Sequence, residues 1–124
     1  MYKAYGQDAE FLVVYIREAH AADSSWPMAV PGETIKTPKN WAQRSSNAEK
    51  CLTKLKIDIP CVIDDLEDSV DAHYSGWPDR LFVVDKAGKI VVSGKQGPWG
   101  FKPSVKQAKQ WLAKQFPNVK APKG

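Results

Sequence analysis

Four short apolar runs and two amphipathic ones divide this chain, and their lengths predict its elements. Residues 11–16, FLVVYI, are apolar throughout, rich in β-branched and aromatic types and bounded by charges, as in a strand buried on both faces. Residues 60–64, PCVID, repeat that pattern more briefly. LFVVD at 81–85 and KIVVSG at 89–94 are separated only by Lys-Ala-Gly, which predicts an antiparallel hairpin. Between the first two runs, Pro27, Pro31 and Pro38 exclude a long helix from the Ala, Ser, Pro and Thr-rich stretch 19–40, a surface loop. Asn40 caps a helix through WAQRSSNAEKCLTKLK whose apolar side is Trp41, Ala48, Cys51, Leu52 and Leu55. A shorter helix, SVDAHYSG, follows the second strand, its start favoured by preceding acids. Pro103 and Ser104 open a last helix with Val105, Ala108, Trp111, Leu112 and Phe116 inward, and Pro117 ends it.

The predicted order is β, α, β, α, β-hairpin, α. Helical crossovers between the first three strands imply parallel or mixed pairing with helices on both faces, and the hairpin adds an antiparallel edge. The fold class is therefore α/β, a thioredoxin-like mixed sheet seen from its back portion, in one domain over residues 1–124.

Size and charge narrow the function classes. A chain of 124 residues can bury roughly two thirds of its unfolded surface, so a hydrophobic core needs neither disulfide nor metal. No run approaches the ~20 apolar residues of a membrane span, and no signal peptide is apparent; the partner expectation is no membrane, and cytoplasmic location is the default. Net charge is +4, unevenly spread: residues 57–79 hold seven acids and no Lys or Arg, and residues 86–124 hold nine Lys and no acid. The spaced lysines, without Arg or a nucleic-acid motif, read as a solvated helix face, and nucleic acid is not the expected partner. Cys51 and Cys61 form no CxxC and read as inert packing. Two Cys and two His lack the close pairing of zinc sites, and DDLED at 64–68 lacks the glycine and ligand spacing of a calcium loop. No cofactor or metal is called for.

YIREAH at 15–20, Asp23 beyond it, Tyr74 with Pro78 and Arg80 before the next strand, and GKQGPW at 94–99 together resemble the iodothyronine deiodinase family and its bacterial relatives, over nearly the whole chain. In that family a thioredoxin-like domain uses a selenocysteine, or in many bacterial members a cysteine, to remove a halogen reductively from an aromatic ring. The resemblance implies a small aromatic or thiol substrate. It aligns residues 1–5 with the tail of the nucleophile-bearing helix, so the nucleophile is absent from these residues and the domain reads as N-terminally truncated and inactive alone. The alternative is a non-catalytic binding or assembly module.

By the same resemblance His20 contacts substrate or transfers a proton, against a reading as a strand cap bonded to Asp23 or Glu18. Arg80 occupies the position where related folds keep an arginine near a thiolate, against an ion pair with a nearby acid. Glu18, Asp23 and Gln96 are candidate substrate contacts, Gln96 standing where some members carry a basic residue and Pro38 near the family's second histidine. His73, inside a predicted helix, reads as structural. The thioredoxin-like order also places another strand between 11–16 and 81–85. Buried unpaired backbone groups cost about 1–3 kcal/mol each against a stability of about 5–15 kcal/mol, so the open edges are expected to pair in a homodimer.

Overall fold

The computed structural model describes residues 1–27 and 34–120. Pro31 of the predicted loop and Lys123 of the basic segment lie outside the described residues. In chain order the elements are α1 (Tyr2–Tyr5), β1 (Val13–Tyr15), α2 (Trp41–Leu55), β2 (Cys61–Ile63), α3 (Ser69–Tyr74), β3 (Phe82–Val84), β4 (Ile90–Ser93) and α4 (Phe101–Gln115). The chain is α/β, and every predicted element is present. Two compact units carry them, one spanning Leu12–Pro78 and the other joining Met1–Phe11 to the chain from Asp79 onward.

In the unit of residues 12–78, β1 and β2 pair in parallel with Val13 opposite Cys61, Val14 opposite Val62 and Tyr15 opposite Ile63. Backbone bonds from Val13 N–H to the Pro60 oxygen (2.9 Å) and from Asp64 N–H to the Tyr15 oxygen (2.8 Å) extend the ladder at both ends. A parallel pair needs a long crossover, and α2 is in it, packed on β2. Its cap is as predicted: Asn40 is extended and its side chain accepts the Gln43 N–H at 2.9 Å. Gln43 in turn accepts the Lys39 N–H at 2.7 Å, so two amides at the helix entrance are satisfied reciprocally.

In the other unit, β3 and β4 form the predicted hairpin, with Phe82 opposite Ser93 and Val83 opposite Val92. A bulge between Val83 and Val84 brings Ile90 opposite Val84. Asp85 shapes the turn, its carboxylate accepting the N–H groups of Ala87 and Lys89, both at 2.9 Å, and Gly88 supplies the positive φ of 78°. α4 packs on β4, burying Ala108 and Leu112, and Tyr5 of α1 is buried with its ring 6.3 Å from that of Phe116.

Three expectations need correction. The strands form two separate two-stranded sheets rather than one mixed sheet with helices on both faces; each strand has only three or four residues, and among the described residues none forms the intervening strand of the expected order. The run 11–16 is not buried on both faces: β1 is half-buried and Leu12 is 61% exposed. Finally, α4 begins at Phe101, with Gly100 as an N-cap that offers no side chain. Pro103 sits in the first turn, where its missing N–H costs nothing. Ser104 lies one turn in, its hydroxyl donating to the Gly100 oxygen at 2.6 Å and accepting from the Lys95 N–H at 3.0 Å, so it ties the preceding loop to the helix.

The core is thinner in apolar atoms than the composition implied. No large side chain among the described residues is fully buried, and Arg44, Asn47, Asp64, Asp71 and Ser104 are buried alongside the apolar set.

Candidate functional site

The loop that leaves β1 carries Glu18, His20 and Asp23, and α2 holds it from beneath. Trp41 and Leu55, expected on the apolar side of α2, are 57% and 64% exposed, and the helix buries Arg44, Asn47 and Ala48 instead. Asn47 Nδ2 donates to Glu18 Oε1 at 3.1 Å and to the Lys36 carbonyl oxygen at 3.0 Å, joining both arms of the loop. Tyr15 donates its hydroxyl to the same Glu18 oxygen at 3.2 Å. Arg44 reaches Glu18 Oε2 at 3.9 Å and Asp68 Oδ1 at 2.9 Å, and donates to the Asp65 carbonyl oxygen. The Arg44 and Glu18 side chains are only 4% and 5% exposed, so this is a buried ionic network. Burial pushes the Tyr15 phenol far above its ordinary range, and the neighbouring Glu18 carboxylate adds to the shift.

His20 is fixed by Trp26. Its Nδ1 lies 3.1 Å from the Trp26 carbonyl oxygen and the rings meet edge to face with centroids 4.5 Å apart. A carbonyl oxygen only accepts, so Nδ1 is the donor of this bond. The predicted alternative, a bond from His20 to Asp23 or Glu18, is not the one that forms; among the described residues Trp26 is its hydrogen-bond partner. Asp23 instead staples the loop, one oxygen accepting the Thr37 N–H at 2.8 Å and hydroxyl at 3.0 Å. The Thr37 amide, chiefly, holds the Asp23 carboxyl below its usual value.

The acids that follow β2 organise α3. Asp64 accepts the N–H groups of Asp65 (2.9 Å), Val70 (3.0 Å) and Asp71 (2.9 Å). Asp71 accepts the Trp77 N–H at 2.8 Å and an Arg17 Nε–H at 2.7 Å, while the Arg17 guanidinium lies 5.2 Å from the Trp77 ring centroid. His73 Nδ1 bonds the Ser69 carbonyl oxygen at 2.6 Å within its own helix. Among the described residues no group of three His, Cys, Asp or Glu is arranged to hold a metal ion.

Arg80 and Gln96 belong to the other unit. Arg80 donates Nε–H to the Gly94 carbonyl oxygen at 2.7 Å and stacks 4.9 Å from the Phe82 ring centroid. The loop GKQGPW is drawn in by three backbone bonds: Gly94 to Leu81 (2.8 Å), Gly97 to Asp79 (2.9 Å) and Gly100 to Gln96 (3.0 Å), each glycine donating. All three glycines are sterically required, and a Cβ at Gly100 would overlap the Gln96 oxygen and Lys95. A Cβ at Gly94 would overlap the Leu81 oxygen and Ser104, and one at Gly97 would overlap the Asp79 carboxylate. Beside them, Asp79 Oδ1 is buried without a hydrogen-bond partner among the described residues.

Neither cysteine is built as a nucleophile. Both are free and half-buried, and burial raises both thiols above their ordinary value. The proximity of Cys61 adds to the shift at Cys51, and a backbone hydrogen bond at Tyr15 partly offsets it at Cys61. Arg17, Arg44, Asn47 and Asp71 are missing from the sequence-derived site. Residues 44, 47, 48 and 51 do recur at helical spacing, but a hydrophobic pattern counts Arg and Asn as outward.

The chain is α/β, with a histidine held on the loop after its first strand and that histidine's carboxylate neighbour anchored from the crossover helix. The chain belongs to the iodothyronine deiodinase family, whose profile matches residues 1–116. It is 37% identical to the type I iodothyronine deiodinase of Xenopus laevis over 95 residues, 77% of this chain and 36% of that protein. It is 29% identical over 118 residues to the type II iodothyronine deiodinase of Aquarana catesbeiana, covering 94% of this chain and 44% of the relative. With the thyroxine 5-deiodinase of Gallus gallus it shares 29% identity over 115 residues, 92% of this chain and 42% of that one. The chain thus spans less than half the length of these relatives. No helix among the described residues is long and apolar enough to cross a membrane.

Proposed function

We propose that these residues form the substrate-side portion of a thioredoxin-like reductive dehalogenation site, acting on a small halogenated aromatic. The observation that carries this reading is the fixed His20, oriented by Trp26 on a loop clamped through Glu18, Asn47 and Arg44. In the reaction a thiolate or selenolate takes the halogen from the ring carbon, and the carbon takes up a proton. A second thiol then reduces the sulfenyl or selenenyl halide, forming a disulfide or selenenyl sulfide and releasing halide. With Nδ1 committed to Trp26, His20 Nε2 is the atom that donates to a substrate oxygen or delivers that proton when the ring is cationic. Glu18 and Asp23 act through the shape they impose on the His20 loop, and in the other unit Arg80 and Gln96 are candidate contacts by family position alone.

A second reading is favoured by the two protonated, half-buried thiols: the residues described are a non-catalytic binding or assembly module. Both readings give the same expectation for these residues alone. Incubated with an iodinated phenol and a dithiol, the chain should release no iodide above the uncatalysed rate. Iodide release abolished by Cys61→Ser would overturn this and make Cys61 a nucleophile. Binding of the phenol that is lost in His20→Asn separates the dehalogenation framework from the module, which has no need of that ring.

A further inference from the structure

The outward face of α4 combines two features that the reading above does not use. Lys102, Lys106 and Lys109 follow one another at intervals of four and three residues, so they stand in one stripe. All three are exposed, while Ser104, Ala108 and Leu112 are buried on the side toward the core. None is ion-paired among the described residues, and residues 86–124 contain no acid to neutralise them. In the turn just before the same helix Trp99 is 90% exposed, and the first residue of the helix, Phe101, is 37% exposed. A stripe of lysines is ordinarily a solvated face. A nearly naked indole at its end is not ordinary, because that side chain leaves its large apolar surface in water.

We propose that this face, with Trp99 as its apolar anchor, binds anionic lipid surfaces peripherally. An amphipathic ring sits well at the boundary between headgroups and acyl chains, and long lysine stems let the ammonium groups meet lipid phosphates and carboxylates while the stems lie on apolar surface. Charge complementarity selects the anionic leaflet. Nucleic acid fits less well: the segment carries no Arg for forked phosphate contacts, and the lysines lie on a convex helix face rather than along a groove. The attachment is distinct from spanning, for which no described helix is long and apolar enough.

The full chain should co-float with phosphatidylcholine vesicles that contain phosphatidylserine and not with phosphatidylcholine alone, and added salt should release it. Replacing Lys102, Lys106 and Lys109 together by Gln should lower binding by about tenfold or more, since each charge contributes independently near the surface. Trp99→Ala should weaken binding and remove the blue shift of tryptophan emission on vesicle addition. All four positions are exposed, so the variants should keep the parent's thermal unfolding midpoint. Equal binding to both vesicle types, or binding to anionic vesicles that neither variant reduces, overturns the proposal. So does tighter binding to a single-stranded oligonucleotide than to the anionic vesicles, lost in the same lysine variant, which would assign the face to nucleic acid.

Discussion

Arg44 shows why a residue central to the loop was hidden from the sequence. Its positive charge on an amphipathic helix marks it as outward, yet it faces two carboxylates and a backbone oxygen in the interior. Removing one partner from a buried pair leaves the other charged and unsolvated, so Arg44→Met should destabilise the chain by about 3–5 kcal/mol in denaturant unfolding. Loss of less than about 1 kcal/mol would mean that the network is solvated. The candidate residues themselves were partly legible. His20 and Asp23 lie in the loop after the first strand as expected, but their partners, Trp26 and Thr37, are contacts that spacing does not encode. The titrating groups give opposite signs at the two ends of the pH scale. Asp23 and Asp65 have lowered folded values, so their stabilisation is present above the ordinary carboxylate range and is lost as pH falls through the lowered values. Tyr15, Cys51 and Cys61 have raised values; each favours the fold while protonated, and that contribution is lost as pH rises from its unfolded to its folded value. Unfolding free energy measured against pH should therefore decline on both sides, and Cys51→Ala should flatten part of the alkaline decline.

At the scale of elements, local signals were sufficient wherever the chain satisfies its own backbone. The Asn40 cap and the turn at Asp85 to Gly88 are each determined by a few neighbouring residues. Asn40→Ala should cost about 0.5–2 kcal/mol by denaturant unfolding, with the loss confined to a frayed first turn of α2 in amide exchange. No loss would mean that Gln43 alone holds the entrance. The start of α4 was read two residues late because Pro and Ser look like an opening signal, whereas the chain turns earlier through close glycine contacts at 94–100 and uses Ser104 inside the helix. Strand burial was overestimated for a related reason. An apolar run measures how much burial a segment tolerates, and the amount it receives depends on how many layers cover it.

For the whole molecule, the family was readable from four motif pieces, and two of them have a local physical basis: the Glu18 to His20 loop on its buried anchor, and the glycines that let 94–100 close on Leu81 and Asp79. The division of the strands into two two-stranded sheets was not readable in the same way, because ladder partners between distant strands leave no local mark. Each of the four strands has an outer edge without a ladder partner among the described residues, and we expect a second copy to cover such edges. Sedimentation should report a dimer over a wide concentration range; a monomer at every concentration contradicts that expectation. His20 is the ring we propose to meet a halogenated aromatic, and the most direct test is an imidazole NMR titration of the chain with an iodinated phenol. Saturable shifts at His20, unmatched at His73 and absent in His20→Asn, are the predicted result. A titration that leaves His20 unmoved, or moves both histidines alike, would contradict it.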